Sequence, residues 1–347
     1  MLIAGNETEG IGLGTAQFAF RDRTAEDSVA TVHAALDAGV MLIDTALAYT
    51  RPGVESYAEQ VVARALRGLT TGRPLVATKG GHWRRGDSFP VDGRPDTLRA
   101  HCEISLRTLE AGRIDLYQLH HVDSQVPLPD SVGALGRLRQ EGKIAAIGLS
   151  NVTVAQLDEA LAVAPIAAVQ NRLSYGDPGD LPMALACAER DIAYLAYSPF
   201  GGPAGPIPPA ALALARRRGV SPQRVLVAWL RQQSPNIVPL AGASRPATIR
   251  DSAAGLDLTD QDLKDLCAHR TASTSSLDPP EQLDAPYGPA RIRRCENKRA
   301  GCACVQASAG AADAELSDRT RLLSGNAPSY QVADGIGIGG QRGEEAR

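Results

Sequence analysis

A short apolar run, a polar turn, then a stretch with apolar residues at helical spacing: this unit recurs about eight times along the chain. Residues 10–14, 41–45, 75–78, 115–120, 145–149, 166–170, 192–197 and 237–240 read as the strands. Between them, Val29, Val32, Ala35 and Leu36 form one helical stripe, opened by Thr24 as N-cap and closed by Gly39. Ala58, Val61, Val62, Ala65 and Leu66 form the next, and Leu98, Ile104, Leu106 and Leu109 a third, with Asp96 as its expected cap. Later helices are expected over 130–140, 152–162, 181–189, 208–218, 222–232 and 246–254, and one more over 258–267. Strands that alternate with helices in this way predict a parallel α/β architecture, and about eight units predict a closed (β/α)8 TIM barrel. A doubly wound sheet is the competitor, but it favours a complete Gly-x-Gly-x-x-Gly after the first strand, and Gly12-Leu13-Gly14 is incomplete. Those glycines instead suggest close approach of a cofactor or a neighbouring backbone.

The periodicity fades after Arg270. Residues 1–272 are therefore expected to form the barrel, and 273–347, rich in Gly, Pro, Ser, Ala and Arg, a disordered C-terminal tail, with short helices near 311–323. Cys102, Cys187 and Cys267 sit singly in helical segments and read as small buried thiols, whereas Cys295, Cys302 and Cys304 crowd into the tail without the paired arms of a zinc site. No metal is expected. The 347 residues carry a net charge of −3, which gives no general attraction for nucleic acid or an anionic membrane. No apolar run approaches the ~20 residues of a membrane span, and no signal peptide is visible, so a cytoplasmic protein is expected. The segment 81–94, rich in glycine and arginine, is long for a connection inside a compact domain and reads as a functional or a disordered loop.

Three apolar runs end in ionisable groups. Leu42-Ile43 leads to Asp44, with Tyr49 five residues on; 75–78 delivers Lys79; 115–119 delivers His120, beside a competing His121. In a parallel barrel these groups gather at one face, the C-terminal ends of the strands. Singly, Asp44 reads as well as a cap, Tyr49 and Lys79 as loop side chains, and His120 as a core histidine. Together and in order, Asp44, Tyr49, Lys79 and His120 resemble the tetrad of the aldo-keto reductases. The resemblance runs from about Ile11 to about Arg270 and includes Gly148-Leu149-Ser150-Asn151, Val169-Gln170-Asn171, Ala196-Tyr197-Ser198-Pro199 and Gly242-Ala243-Ser244-Arg245. The run Leu116-Tyr117-Gln118-Leu119-His120 matches the family's pattern and selects His120 over His121.

The resemblance implies NADPH-dependent, reversible reduction of an aldehyde or ketone, with Tyr49 as acid-base, Lys79 tuning it, Asp44 anchoring Lys79, and His120 orienting the carbonyl. It places Ser150, Asn151 and Gln170 on the nicotinamide carboxamide, Tyr197 against the ring, Ser198 near the pyrophosphate, and Ser244 with Arg245 at an anion site before a helix. It departs from the family at Thr248 and at Asp251-Ser252, near the adenine end. Phe18, Trp83, His121 and Phe200 are expected over the same face as a substrate pocket, with Phe20 near them. The expected partner is a small carbonyl compound, the expected state a monomer or weak oligomer, and pyridoxine dehydrogenases are loosely similar. The alternative is a nucleotide-sensing regulatory subunit of the same fold with little turnover.

Overall fold

The computed structural model describes residues 2–202 and 205–273. The expected tail, with its three cysteines and its short helices, lies outside them. Two short strands, β1 (Leu2–Ile3) and β2 (Asn6–Glu7), form an antiparallel hairpin ahead of the barrel. After it come β3 (Gly12–Gly14), α1 (Ala16–Phe20), α2 (Ala25–Asp37), β4 (Leu42–Asp44), α3 (Tyr57–Leu66), β5 (Leu75–Gly80), α4 (Pro95–Thr108) and β6 (Ile114–Leu119). The second half runs α5 (Leu128–Gln140), β7 (Ile144–Ser150), α6 (Val154–Leu161), β8 (Ala168–Arg172), α7 (Leu181–Ala188) and β9 (Ala193–Tyr197). It ends with α8 (Pro209–Arg218), α9 (Pro222–Gln233), β10 (Ile237–Gly242), α10 (Pro246–Ala253) and α11 (Asp260–Ser273). Strands β3 to β10 pair in parallel in chain order, and β10 returns to β3, so the sheet closes into the expected (β/α)8 barrel.

The barrel strands are buried on both faces over most of their length, which is why the apolar runs show no clean alternation. The inner face is a compact cluster that includes Leu42, Leu75, Leu116, Leu195, Val238 and Leu240. Ile3 of the hairpin belongs to that cluster and is fully buried, so the hairpin covers the end where the strands begin. A larger cluster lies between the strands and the surrounding helices. Gly12 serves the inner core rather than a cofactor: a Cβ there would lie 2.6 Å from Leu240 Cδ2 and 3.0 Å from Leu42 Cδ2.

Local signals set the helix ends. Thr24 accepts from the amide of Asp27 (3.0 Å), and Thr153 with Gln156 forms a reciprocal capping box on α6. Asp96 is not a cap. Arg94 holds the N-cap position of α4, Pro95 opens the helix, and Asp96 lies in the first turn, where its charge still suits the dipole. The segment 81–94 is ordered: bridges His82↔Val91 and Arg85↔Ser88 fold it into a small hairpin-like flap after β5. No helix among the described residues is long and apolar enough to cross a membrane.

Candidate active site

The strand order brings Asp44, Lys79 and Gln118 onto neighbouring strands β4, β5 and β6, and Lys79 pairs in register with Gln118. The Lys79 ammonium is fully buried and donates to Asp44 Oδ1 (2.8 Å), Asp44 Oδ2 (2.7 Å) and the Thr45 carbonyl (2.9 Å). It also lies 3.4 Å from the Tyr49 hydroxyl. Burial pulls the lysine below its ordinary pKa, and the Asp44 carboxylate opposes that shift. Asp44 Oδ1 accepts from Gln170 Nε2 (2.7 Å) and Gln118 Nε2 (3.3 Å) as well. The pair is therefore hydrogen-bonded on all sides, as a charge taken out of water must be. Gly148 on β7 makes room for it, since a Cβ there would approach Gln118 Cγ to 2.7 Å.

Tyr49 sits in the loop between β4 and α3. Its amide donates to Ala46 (3.0 Å), and its carbonyl accepts from the amide of Ala58 at the start of α3 (2.9 Å). The ring is half-buried and stands edge-on to His120, 5.8 Å between centroids. His120 follows β6, donates its amide to Gly80 (3.0 Å), and has a buried Nδ1 with no partner among the described residues. Burial, then the Lys79 charge and the neighbouring imidazoles, hold His120 well below its ordinary pKa, so the ring is neutral at pH 7. An acidic hydroxyl, a cation beside it and a neutral imidazole thus meet at one mouth. Such a set can deliver a proton to an oxygen and hydrogen-bond that oxygen.

Next to the tetrad, Ser150 ends β7, and Asn151 follows in the left-handed region (φ 59°). That turn lets the Asn151 amide group tie three strand ends together. Its Nδ2 donates to the His120 carbonyl (3.0 Å) and to Ser150 Oγ (3.1 Å), and its Oδ1 accepts from the Tyr197 hydroxyl (2.8 Å). Tyr197 ends β9. Ser198 (φ 53°), Gly201 (φ 86°) and Gly202 (φ 100°) then turn the backbone through conformations that bring amides together, and Arg172 of β8 donates to the Gly201 carbonyl (2.9 Å). Across the mouth, Ser244 is half-buried and Arg245 exposed. Arg245 precedes α10, whose N-terminus has no side-chain cap, and its guanidinium forms no hydrogen bond or ion pair among the described residues. Asp251 faces elsewhere, accepting from Ser221, which caps α9.

The expected pocket residues separate. Phe18 is on α1 rather than a loop, fully buried in the outer core. Trp83 turns away to stand edge-on to His101 of α4, 5.2 Å between centroids. Phe200 packs partly buried against the outer core. His121 stays at the mouth, stacked on His120 at 5.0 Å, and burial lowers its pKa to about 4. The places of Phe18 and Trp83 are taken by side chains not singled out above or set only near the pocket. His82 touches both imidazoles (4.9 Å and 4.8 Å) and stacks on Phe89, while Phe20 meets Tyr49 edge-on at 6.3 Å. Among the described residues no such group is arranged to hold a metal ion. Gln118 was legible in principle, since strand alternation puts it on the face of His120. His82 carried no signal, because the fold of the flap was not readable.

Comparison with known proteins gives the family and the fold. The model of the Aldo/keto reductase family matches residues 10–270. A probable aldo-keto reductase of Glycine max is 29% identical over 277 residues, covering 70% of this chain and 78% of its own length. An uncharacterized oxidoreductase of Schizosaccharomyces pombe is 30% identical over 243 residues, covering 68% and 76%. Among solved structures, a glycerol dehydrogenase from Gluconobacter oxydans superposes with a TM-score of 0.68 at 28% identity, covering 82% of this chain and 98% of that one. An aldo/keto reductase from Klebsiella pneumoniae, in complex with NADP and acetate, gives 0.65 at 26% identity, covering 80% and 94%.

Proposed function

Because this chain belongs to the aldo/keto reductase family and is thereby an oxidoreductase of carbonyl compounds, we propose that it reduces an aldehyde or ketone reversibly with NADPH, Tyr49 delivering the proton. The observation that carries this reading is the Lys79 ammonium, buried, paired to Asp44 at 2.7 Å and 3.4 Å from the Tyr49 hydroxyl. A tyrosine of pKa ~10 gives up its proton reluctantly near neutrality. A cation at this distance favours the phenolate and so makes the phenol a better acid. Asp44 keeps Lys79 protonated against the cost of burial, and Gln118 and Gln170 hold Asp44 in place. His120, neutral, donates to the carbonyl oxygen and sets its direction toward Tyr49. As the C–O double bond becomes a single bond, the Tyr49 proton moves to oxygen, and the phenolate left behind faces Lys79.

The donor set suits a nicotinamide cofactor, which when bound supplies the hydride. Gln170 spends its amide nitrogen on Asp44 and keeps Oε1 to accept from a carboxamide; Ser150 accepts from Asn151 and keeps its own hydrogen to donate. Asn151 has both ends of its amide engaged, so it fixes Ser150 and Tyr197 rather than reaching further. The Tyr197 ring offers a flat face for stacking, and the Ser198 turn with its glycines suits a pyrophosphate. Ser244, Arg245 and the uncapped start of α10 suit a 2′-phosphate, which favours NADPH over NADH. The NADP-bound Klebsiella relative supports that choice. The substrate is a small carbonyl compound that meets Tyr49 between Phe20, His82 and His121, and the enzyme works in the cytoplasm as a monomer or weak oligomer.

The test is NADPH oxidation by the full chain over a panel of aldehydes, ketones, sugars and pyridoxal, read by loss of reduced-nicotinamide absorbance. Turnover that requires a carbonyl compound is expected. Quenching of NADPH fluorescence with no turnover across the panel would replace an enzyme with a nucleotide sensor.

A further inference from the structure

Behind the wall of the site lies a carboxyl group that the mechanism above does not use. Glu59, in the first turn of α3, is fully buried. Its Oε2 accepts from the hydroxyl of Ser56 (2.5 Å), and its Oε1 from the hydroxyl of Thr78 (2.5 Å). Ser56 is the N-cap of α3, held at φ 47°, yet it gives its hydroxyl to Glu59 rather than capping a helix amide. A third hydroxyl, Ser105 of α4, is buried beside the same carboxyl. Three elements therefore converge on one acid, and one of them, Thr78, is the residue immediately before Lys79 on β5. Strand alternation sends the two side chains to opposite faces: Lys79 inward to Asp44, Thr78 outward to Glu59.

Resting on the acid role of Tyr49 argued above, we propose that Glu59 is a positioning residue that holds β5 beneath Lys79 through Thr78 and sets a second negative charge behind the ammonium. Lys79 is then flanked by Asp44 inside the barrel and Glu59 across the strand, and the field that reaches Tyr49 is the balance of the three. Burial raises the Glu59 pKa above its ordinary value; the Ser56, Thr78 and Ser105 hydroxyls and the Lys79 charge oppose that rise and favour the ionised carboxylate, as does its place at a helix N-terminus. The other titratable groups facing Glu59 are Cys102 of α4 and Tyr117 of β6. Burial pushes the Cys102 thiol up to about 12 and the Tyr117 phenol well above its ordinary value, so both stay neutral while Tyr49 titrates. Around Tyr49 itself the charged groups include Lys79 and Asp44, with Arg84 donating to the carbonyl of the adjacent Thr50 (3.3 Å) and His120 neutral.

The sign follows. Removing the Glu59 charge leaves Lys79 less compensated, which favours the Tyr49 phenolate and lowers the pH at which Tyr49 ionises. The readout is that pH, followed by NMR of the full chain labelled at tyrosine Cζ and assigned by the signal missing in Tyr49→Phe. It needs neither substrate nor cofactor. Glu59→Gln keeps the shape and loses the charge, and is expected to lower the midpoint by about half to one pH unit. Glu59→Asp keeps the charge and is expected to leave the midpoint near wild type even if packing suffers. Where Glu59→Gln does not fold, Glu59→Leu combined with Thr78→Val serves: it removes the charge together with the hydroxyl that would be left unpaired, and should move the midpoint the same way. An unmoved midpoint, or equal shifts in Glu59→Gln and Glu59→Asp, would overturn the proposal and leave Glu59 a packing residue. Tyr49→Phe that still turned over would instead remove the acid role on which it rests, so the two failures are distinguishable.

Discussion

Asp44→Asn is the substitution from which the geometry predicts most. Asp44 is 3% exposed and receives both Lys79 contacts, at 2.8 and 2.7 Å, together with Gln170 at 2.7 Å and Gln118 at 3.3 Å. An asparagine has one acceptor oxygen for these donors, and its amide hydrogens would point at an ammonium or at a glutamine amide. Breaking a buried ion pair by removing one partner costs about 3–5 kcal/mol, because the other charge is left uncompensated. Part of that is relieved if Lys79 gives up its proton, which burial already encourages. The sign with pH is then fixed. In the variant the folded-state pKa of Lys79 falls further below its unfolded value of ~10.4, so the unfolded chain binds a proton that the folded one does not. Stability rises with pH across that interval, and the deficit against wild type is greater near pH ~6 than near pH ~9. Adding Lys79→Met removes the stranded charge and should recover much of the loss. Urea denaturation of the full chain at both pH values reads all three quantities. Asp44→Asn within about 1 kcal/mol of wild type near pH ~6, or a double variant no more stable than the single one, would refute the pairing as the source of stability here.

Arg245→Ala should weaken NADPH by roughly 10- to 150-fold, the worth of a charge-assisted hydrogen bond of ~1.5–3 kcal/mol, and NADH little. Fluorescence titration reads both, and equal losses would assign Arg245 to the loop or pyrophosphate instead. Gly80→Ala sets a Cβ onto the hydroxyl of Tyr117 and 3.3 Å from His101 Cβ, where Tyr117 is fully buried and held to the Leu98 carbonyl (3.3 Å). Overpacking there should cost about 1–3 kcal/mol in denaturation and lower kcat through the adjacent Lys79; a neutral effect on both would mean that β5 yields freely. Ending the chain after Ser273 should leave a cooperatively folding protein that binds NADPH, because the barrel closes within the described residues. A large fall in melting temperature would show that residues 274–347 support it.

The barrel, and the gathering of ionisable groups at its strand ends, were legible because both depend on short-range regularities. Eight apolar runs bounded by helical stripes fix the closure, and Asp44, Lys79 and His120 stand at strand ends, where the fold itself aligns them. Illegible features had signals too short or too distant. The hairpin of β1 and β2 has two residues per strand, and α1 has five, below the length at which a period declares itself. Phe18 consequently read as a loop aromatic when it is core. The flap over 81–94 folds on the bridge His82↔Val91, nine residues apart; Gly86-Asp87 makes the turn inside Arg85↔Ser88, but no alternating apolar run flanks it to declare a hairpin, so Trp83 was expected where His82 stands. Glu59 looked like a polar residue of an amphipathic helix; only the placement of Thr78 and Ser56 around it shows a buried acid. The readings of the tail concern residues outside the described ones.

The central claim is that Tyr49 gives the proton, and Tyr49→Phe tests it most directly. The substitution removes one oxygen, while the pairing of Lys79 with Asp44 at 2.7 Å does not involve Tyr49. Measured by NADPH oxidation with the best carbonyl compound of the panel, kcat should fall by about 10²- to 10⁴-fold, the contribution of a positioned general acid. NADPH affinity, followed by fluorescence quenching, should stay within about threefold of wild type, since the loss belongs to the transition state. Turnover at the wild-type rate with NADPH affinity unchanged would contradict the account.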